Sequence, residues 1–168
     1  MRLNLLPALL LATMSTLATT ASNAHPLEDC LQQRLDQVLA GDAVRTHTNL
    51  PGLLQLVIER GNYLSIKDDP VALELFEDAI VTVISERIAK RGKDFRGATL
   101  SLIENEDKYS AEGVIVSAGE PYNISITFPS RESCLVNDIS IHGAFTLREW
   151  VRDQPEVQAL MDAYEMKM

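Results

Sequence analysis

The sequence predicts an α+β domain: N-terminal helices, a four-stranded antiparallel meander, then a C-terminal helix. Three observations lead there. Apolar residues recur at helical spacing between residues 27 and 91. From residue 98 the period drops to two, with short turns between the alternating runs. Then Thr146-Leu147-Arg148-Glu149 has the form of a capping box and opens a last helix.

The chain has 168 residues, room for a single domain. Hydrophobic residues make up 46% and charged residues 23%, which excludes collagen-like, disordered and polytopic membrane classes. The 15 Lys+Arg against 24 Asp+Glu give a net charge of -9. That balance opposes non-specific binding to nucleic acid or an anionic membrane, because phosphate contacts need Lys and Arg. Two cysteines and three histidines are too few for zinc fingers, iron–sulfur clusters or multi-histidine centres. No metal and no cofactor is therefore expected.

Residues 1–24 read as a signal peptide and residues 25–168 as the domain. Arg2 is the only charge before residue 25, Leu3 to Leu11 is mostly apolar, and small residues lead to Ala21-Ser22-Asn23-Ala24. Cleavage after Ala24 would leave His25 first and remove Arg2, moving the charge from -9 to -10. Export to the periplasm would place Cys30 and Cys134 in an oxidising compartment, where pairing is favoured. They would close a loop of about 100 residues, worth roughly 4–5 kcal/mol in the chain-entropy model.

In the mature chain, Leu27, Leu31, Leu35 and Val38 mark a helix over 27–40, with Glu28 and Asp29 in its first turn and Gly41 as its stop. Residues 41–49 read as a loop. Pro51 opens a short helix ending at Gly61. Asp69 caps a longer one, 70–91, with Pro70 at its first position. Its broad apolar face comprises Ala72, Leu75, Phe76, Ala79, Ile80, Val83, Ile84 and Ile88. Strands follow at Ala98–Leu102, Tyr109–Ser117, Tyr122–Phe128 and Leu135–Ile141, with turns at Asn105–Lys108, Ala118–Pro121 and Pro129–Ser133. Only one sheet face is consistently apolar, so helices are expected on that face alone. Pro155 breaks or restarts the last helix, which carries Val157, Leu160, Met161 and Tyr164. A curved sheet wrapped on helices in this order is of the cystatin-like or NTF2-like type.

The stretch Leu135-Val136-Asn137-Asp138-Ile139-Ser140-Ile141-His142-Gly143-Ala144-Phe145 resembles the end of the sheet in the MlaC/toluene-tolerance family. Asp138 and Gly143 match the family's Asp and Gly, and the long helix with Phe76 stands at a fitting distance upstream. Cys134 takes the place of the family's Trp and His142 that of its Glu. The resemblance spans roughly residues 50–165. It implies a periplasmic, non-enzymatic shuttle that holds a phospholipid or other apolar ligand and meets membrane-associated transporter complexes. The pocket would lie between helix 70–91, through Phe76, Ile80, Val83 and Ile84, and the apolar sheet face, through Leu100, Leu102, Ile124, Ile126, Phe128, Ile139 and Ile141. The resemblance favours the carrier; the alternative is a plain closed core built from the same residues, in an interaction or accessory protein that meets partners through its acidic surface.

Other candidates are weak. His25 would offer an amine and an imidazole to copper(II), but a brace needs a second histidine, and only His47 and His142 exist. Asp138 and His142 share a strand face, yet four residues of strand separate them by ~13 Å. Glu104, Glu106, Asp107 and Glu112 read as solvated hairpin charges. No nucleophile elbow, Gly-rich phosphate loop or HExxH occurs, so no catalytic residue is assigned.

Overall fold

The structure is a computed structural model. It describes residues 26–88, 90, 95–104 and 109–166. The expected signal peptide, His25 and the turn at 105–108 lie outside the described residues.

Helix α1, Pro26–Leu39, buries the predicted stripe Leu27, Leu31, Leu35 and Val38. The expected loop contains one short turn, α2, Val44–His47. Two helices then replace the single one expected before residue 61. Helix α3, Leu50–Val57, and helix α4, Glu59–Ile66, meet at Glu59, whose φ is 65°. Gly61 lies inside α4 rather than ending α3. Arg152 supplies a reason for the break: its Nε and Nη2 donate to the carbonyls of Val57 and Leu56, at 2.6 and 2.9 Å, and so occupy the free carbonyls at the end of α3.

Helix α5, Pro70–Val83, begins as the sequence requires. The Asp69 side chain accepts from the N–H groups of Val71 and Ala72, at 3.0 and 3.1 Å, and Pro70 occupies the first turn. A π-helical turn, Ile84–Ile88, continues it. Leu75 is 45% exposed, because the buried face centres on Ala72, Phe76, Ile80 and Val83.

The sheet has five strands, not four, paired antiparallel in the order β1-β2-β3-β4-β5. They are β1 Phe95–Glu104, β2 Tyr109–Ser117, β3 Glu120–Phe128, β4 Asp138–Ile141 and β5 Phe145–Thr146. The fifth was missed because it is only two residues long, returning across a turn at Gly143, φ 75°. Cross-strand rows explain the apolar face. Leu102, Ala111, Ile126 and Ile139 form one row, and Leu100, Gly113, Ile124 and Ile141 the next. The other face carries Thr99, Ser101, Glu112 and Asn123, all exposed.

Gly113 is required by a bulge in the neighbouring strand. The register of β1 shifts between Arg96 and Thr99, with Gly97 at φ 66°. The shift brings the Thr99 carbonyl oxygen to 1.8 Å from where a Cβ on residue 113 would sit.

Helix α6, Leu147–Arg152, and helix α7, Pro155–Ala163, complete the chain. Thr146 stands at the N-cap of α6, but its side chain makes no capping bond. Asp138 does that work from β4, its Oδ1 accepting the Arg148 N–H at 3.1 Å. Helix α1 lies on β1, and α6 on β4. The nearest neighbours of α5 are α3 and α7, and its π-helical turn meets α1. No helix among the described residues is long and apolar enough to cross a membrane.

Cys30 and Cys134 form the expected disulfide, with Cα atoms 5.9 Å apart and 104 residues of separation. Replacing both with serine is expected to lower the unfolding free energy by about 2–5 kcal/mol. Denaturant titration of the variant against the oxidised parent measures this. Gly113→Ala is expected to cost about 1–3 kcal/mol in the same assay, because the Thr99 carbonyl must move aside. An unchanged midpoint would mean that the bulge adjusts freely.

Candidate functional site

Of the eleven residues proposed to line an apolar pocket, ten are 0–4% exposed: Phe76, Ile80, Val83, Ile84, Leu100, Ile124, Ile126, Phe128, Ile139 and Ile141. Leu102 is half-buried. All belong to, or pack against, one continuous core that also contains Leu31, Leu35, Leu53, Leu54 and Ile115. The helical and sheet halves of the set are joined through other elements, since α1 touches both β1 and the π-helical turn. At this level of burial the chain's own side chains supply the contacts of the ten buried residues.

Two surface grooves, each of about 430 Å³, flank α6. The first lies between α6 and the β4–β5 turn. Its lining includes His142, Gly143, Phe145, Glu149, Trp150 and Asp153. The second lies where α3 meets the ends of β2 and β3, and includes Gly52, Gln55, Tyr109, Thr127, Asn137 and Arg148. Tyr109 and Phe128 pair there with ring centroids 6.0 Å apart.

Between the grooves sits a charged cluster. Asp138 is buried, at 4% exposure. Its Oδ1 accepts from the N–H groups of Ile139 and Arg148, at 3.0 and 3.1 Å. Its Oδ2 accepts from Arg148 Nη1 at 2.6 Å. Burial pushes the Asp138 carboxyl above the usual carboxylate range; the Arg148 N–H, the Arg148 charge and the Ile139 N–H pull it partly back. His142 is exposed at the β4–β5 turn and makes no pair with Asp138. Sequence reasoning missed Arg148 as the partner of Asp138, because only the β4–β5 hairpin brings residues ten apart together.

His47 is 8% exposed, not an accessible ligand. Its Nδ1 lies 2.6 Å from Nη1 of Arg34, which can only donate, so the imidazole proton belongs on Nε2. Burial first, and then the Arg34 charge, hold its pKa below 6.5. No cluster of three His, Cys, Asp or Glu side chains among the described residues is placed to hold a metal ion. Of the hairpin charges, Glu112 is exposed, and Glu106 and Asp107 lie outside the described residues.

The Asp138–Arg148 pair predicts a pH signature. A carboxyl whose folded pKa lies above its unfolded value, here 3.8, penalises the fold above the folded pKa. The penalty disappears as pH falls below the unfolded value. Arg148→Met removes the compensating charge and deepens it. The variant is expected to lose roughly 1.5–3 kcal/mol at neutral pH. The deficit should narrow as pH is lowered through the folded pKa of Asp138. Urea unfolding across pH checks this; a constant deficit would mean that Arg148 contributes by packing alone. Compared with known proteins, the chain matches no family model, no curated protein and no solved structure.

Proposed function

We propose that this chain is an exported, non-enzymatic interaction protein with a closed core, which meets its partner through an acidic surface. One observation carries the reading. The residues best suited to hold an apolar ligand are 0–4% exposed, Leu102 excepted, which supports side chains packed on one another in place of a ligand. Periplasmic export rests on the Arg2, Leu3–Leu11 and Ala21–Ala24 pattern, and the Cys30–Cys134 disulfide suits an oxidising compartment. The net charge of -9 favours a basic partner.

A second reading is a carrier of a phospholipid or other apolar ligand, handed on by membrane-associated transporter complexes. The resemblance of residues 135–145 to the MlaC family favours it, as does a helical layer on one face of an antiparallel sheet, the arrangement of NTF2-like folds. In that case α1, which lies on β1, must move away from the sheet to admit a chain.

Organic extraction and native mass spectrometry of protein purified from the periplasm separate the two. The closed-core reading expects no bound lipid. It also expects Ile80→Trp and Ile126→Trp each to destabilise by about 1–3 kcal/mol, since neither side chain has spare space beside it. Lipid in the parent, lost in Trp variants that keep their stability, would establish the carrier instead.

A further inference from the structure

Helix α6 sorts its side chains by face. Leu147 and Val151, four apart, are buried. Arg148 and Arg152, also four apart, turn inward to protein acceptors: Arg148 to Asp138, and Arg152 to the carbonyls of Leu56 and Val57. Glu149 and, four positions on, Asp153, the residue that ends the helix, both line the groove on the remaining side. Glu149 is 62% exposed, and its cationic neighbour among the described residues is Arg148 Nη2, at 3.9 Å. Asp153 is exposed and has no cationic partner among the described residues. Trp150 stands beside them, half-buried against Phe145, with ring centroids 5.9 Å apart. The β4–β5 turn, His142 to Ala144, forms the opposite wall of the groove of about 430 Å³.

We propose that this groove is the docking site for an arginine or lysine side chain of a basic protein partner. The proposal rests on the closed-core interaction reading and gives that partner its chemistry. A cation over an indole face is drawn by the ring quadrupole, and a guanidinium can stack there while donating to carboxylates at its edge. Phe145 and Trp150 provide the aromatic wall; Glu149 and Asp153 provide the acceptors. Arg152 is held by the Leu56 and Val57 carbonyls, and Arg148 bonds Asp138 at 2.6 Å, so an incoming cation has only the 3.9 Å contact of Arg148 with Glu149 to displace. A chain of net charge -9 also draws a basic surface toward it before contact. A zwitterionic lipid head group fits less well. The phosphodiester attached to its ammonium would be brought up against the same two carboxylates.

Trp150 is the only tryptophan in the chain, so its indole N–H gives one unambiguous NMR signal. The ¹⁵N-labelled protein is titrated with acetyl-Gly-Arg-Gly-amide, with its citrulline counterpart, and with glycerophosphocholine. The expected result is a saturable shift with the arginine peptide, at least ten-fold weaker with citrulline, and weakened by added salt. Glu149→Gln with Asp153→Asn should weaken the arginine peptide at least ten-fold. Both positions are exposed, so the fold should survive, and Asp162→Asn on α7 should bind as the parent does. No saturable shift, equal binding of citrulline, indifference to the double variant, or tighter binding of glycerophosphocholine would each overturn the proposal. Lipid found in the interior would remove the closed-core reading and leave this titration standing. A failed titration on lipid-free protein would remove the groove alone.

Discussion

Residues 134 to 138 tie the helical layer to the sheet at three places. Cys134 is bonded to Cys30 and so pins α1. Val136 donates to the His47 carbonyl and accepts from the Asn49 N–H, at 3.0 and 2.8 Å, which fixes the junction of α2 and α3. Asn137 accepts from the Asn49 side chain at 2.7 Å. Asp138 takes the N-terminal end of α6 and the Arg148 guanidinium. These are directional bonds, in contrast to the apolar contacts that make up the rest of the interface. Hydrophobic burial brings a helical layer onto a sheet without specifying where each helix stops. Polar and covalent ties from one short segment set that register.

The same segment explains why the last long strand is shorter than its apolar pattern suggests. Leu135 to Ile141 alternate as a strand should, yet pairing with β3 begins at Asp138. Val136 spends its backbone groups on His47 and Asn49 and makes an isolated parallel bridge to Thr48. A backbone N–H can satisfy one acceptor well, so a residue bonded to the helical layer is lost to the ladder.

Features set by neighbours in sequence were legible. Asp69-Pro70 opened α5 where the capping argument put it, the α1 stripe is buried as its period required, and the inward residues of β1, β3 and β4 include those the alternation named, Leu100, Ile124, Ile126, Ile139 and Ile141. The lone cysteines, read through an expected export signal, pointed to their own pairing. Features set across the chain were not legible. Arg152 reaches α3 over 95 and 96 residues, so Gly61 looked like a stop and the true break at Glu59 did not. Thr146 had the form of a capping residue, but the cap comes from Asp138 in another strand. The apolar set of the proposed pocket was named as a group, while whether it is filled depends on the packing of α1 between neighbours, which no local pattern encodes.

The sheet edges offer a partner little purchase. At one edge, Glu28 of α1 accepts the outward Leu102 N–H of β1 at 2.9 Å, and α1 covers that strand. At the other, β5 is two residues long. Short and covered edges discourage strand addition. The open sheet face sets Val114 and Val116, each 43% exposed, among Thr99, Ser101, Glu112 and Asn123, so its apolar area is small. Relief and chemistry coincide instead beside α6, where a helix anchored by its own arginines sets the exposed Glu149 and the exposed Asp153 at its C-terminal end beside a half-buried indole in the groove wall. Anchoring and presentation are thus linked in one element. The inward arginines that hold α6 rigid also leave its outer side acidic, and a rigid acidic side with an aromatic wall pays little ordering entropy when a cationic side chain settles on it.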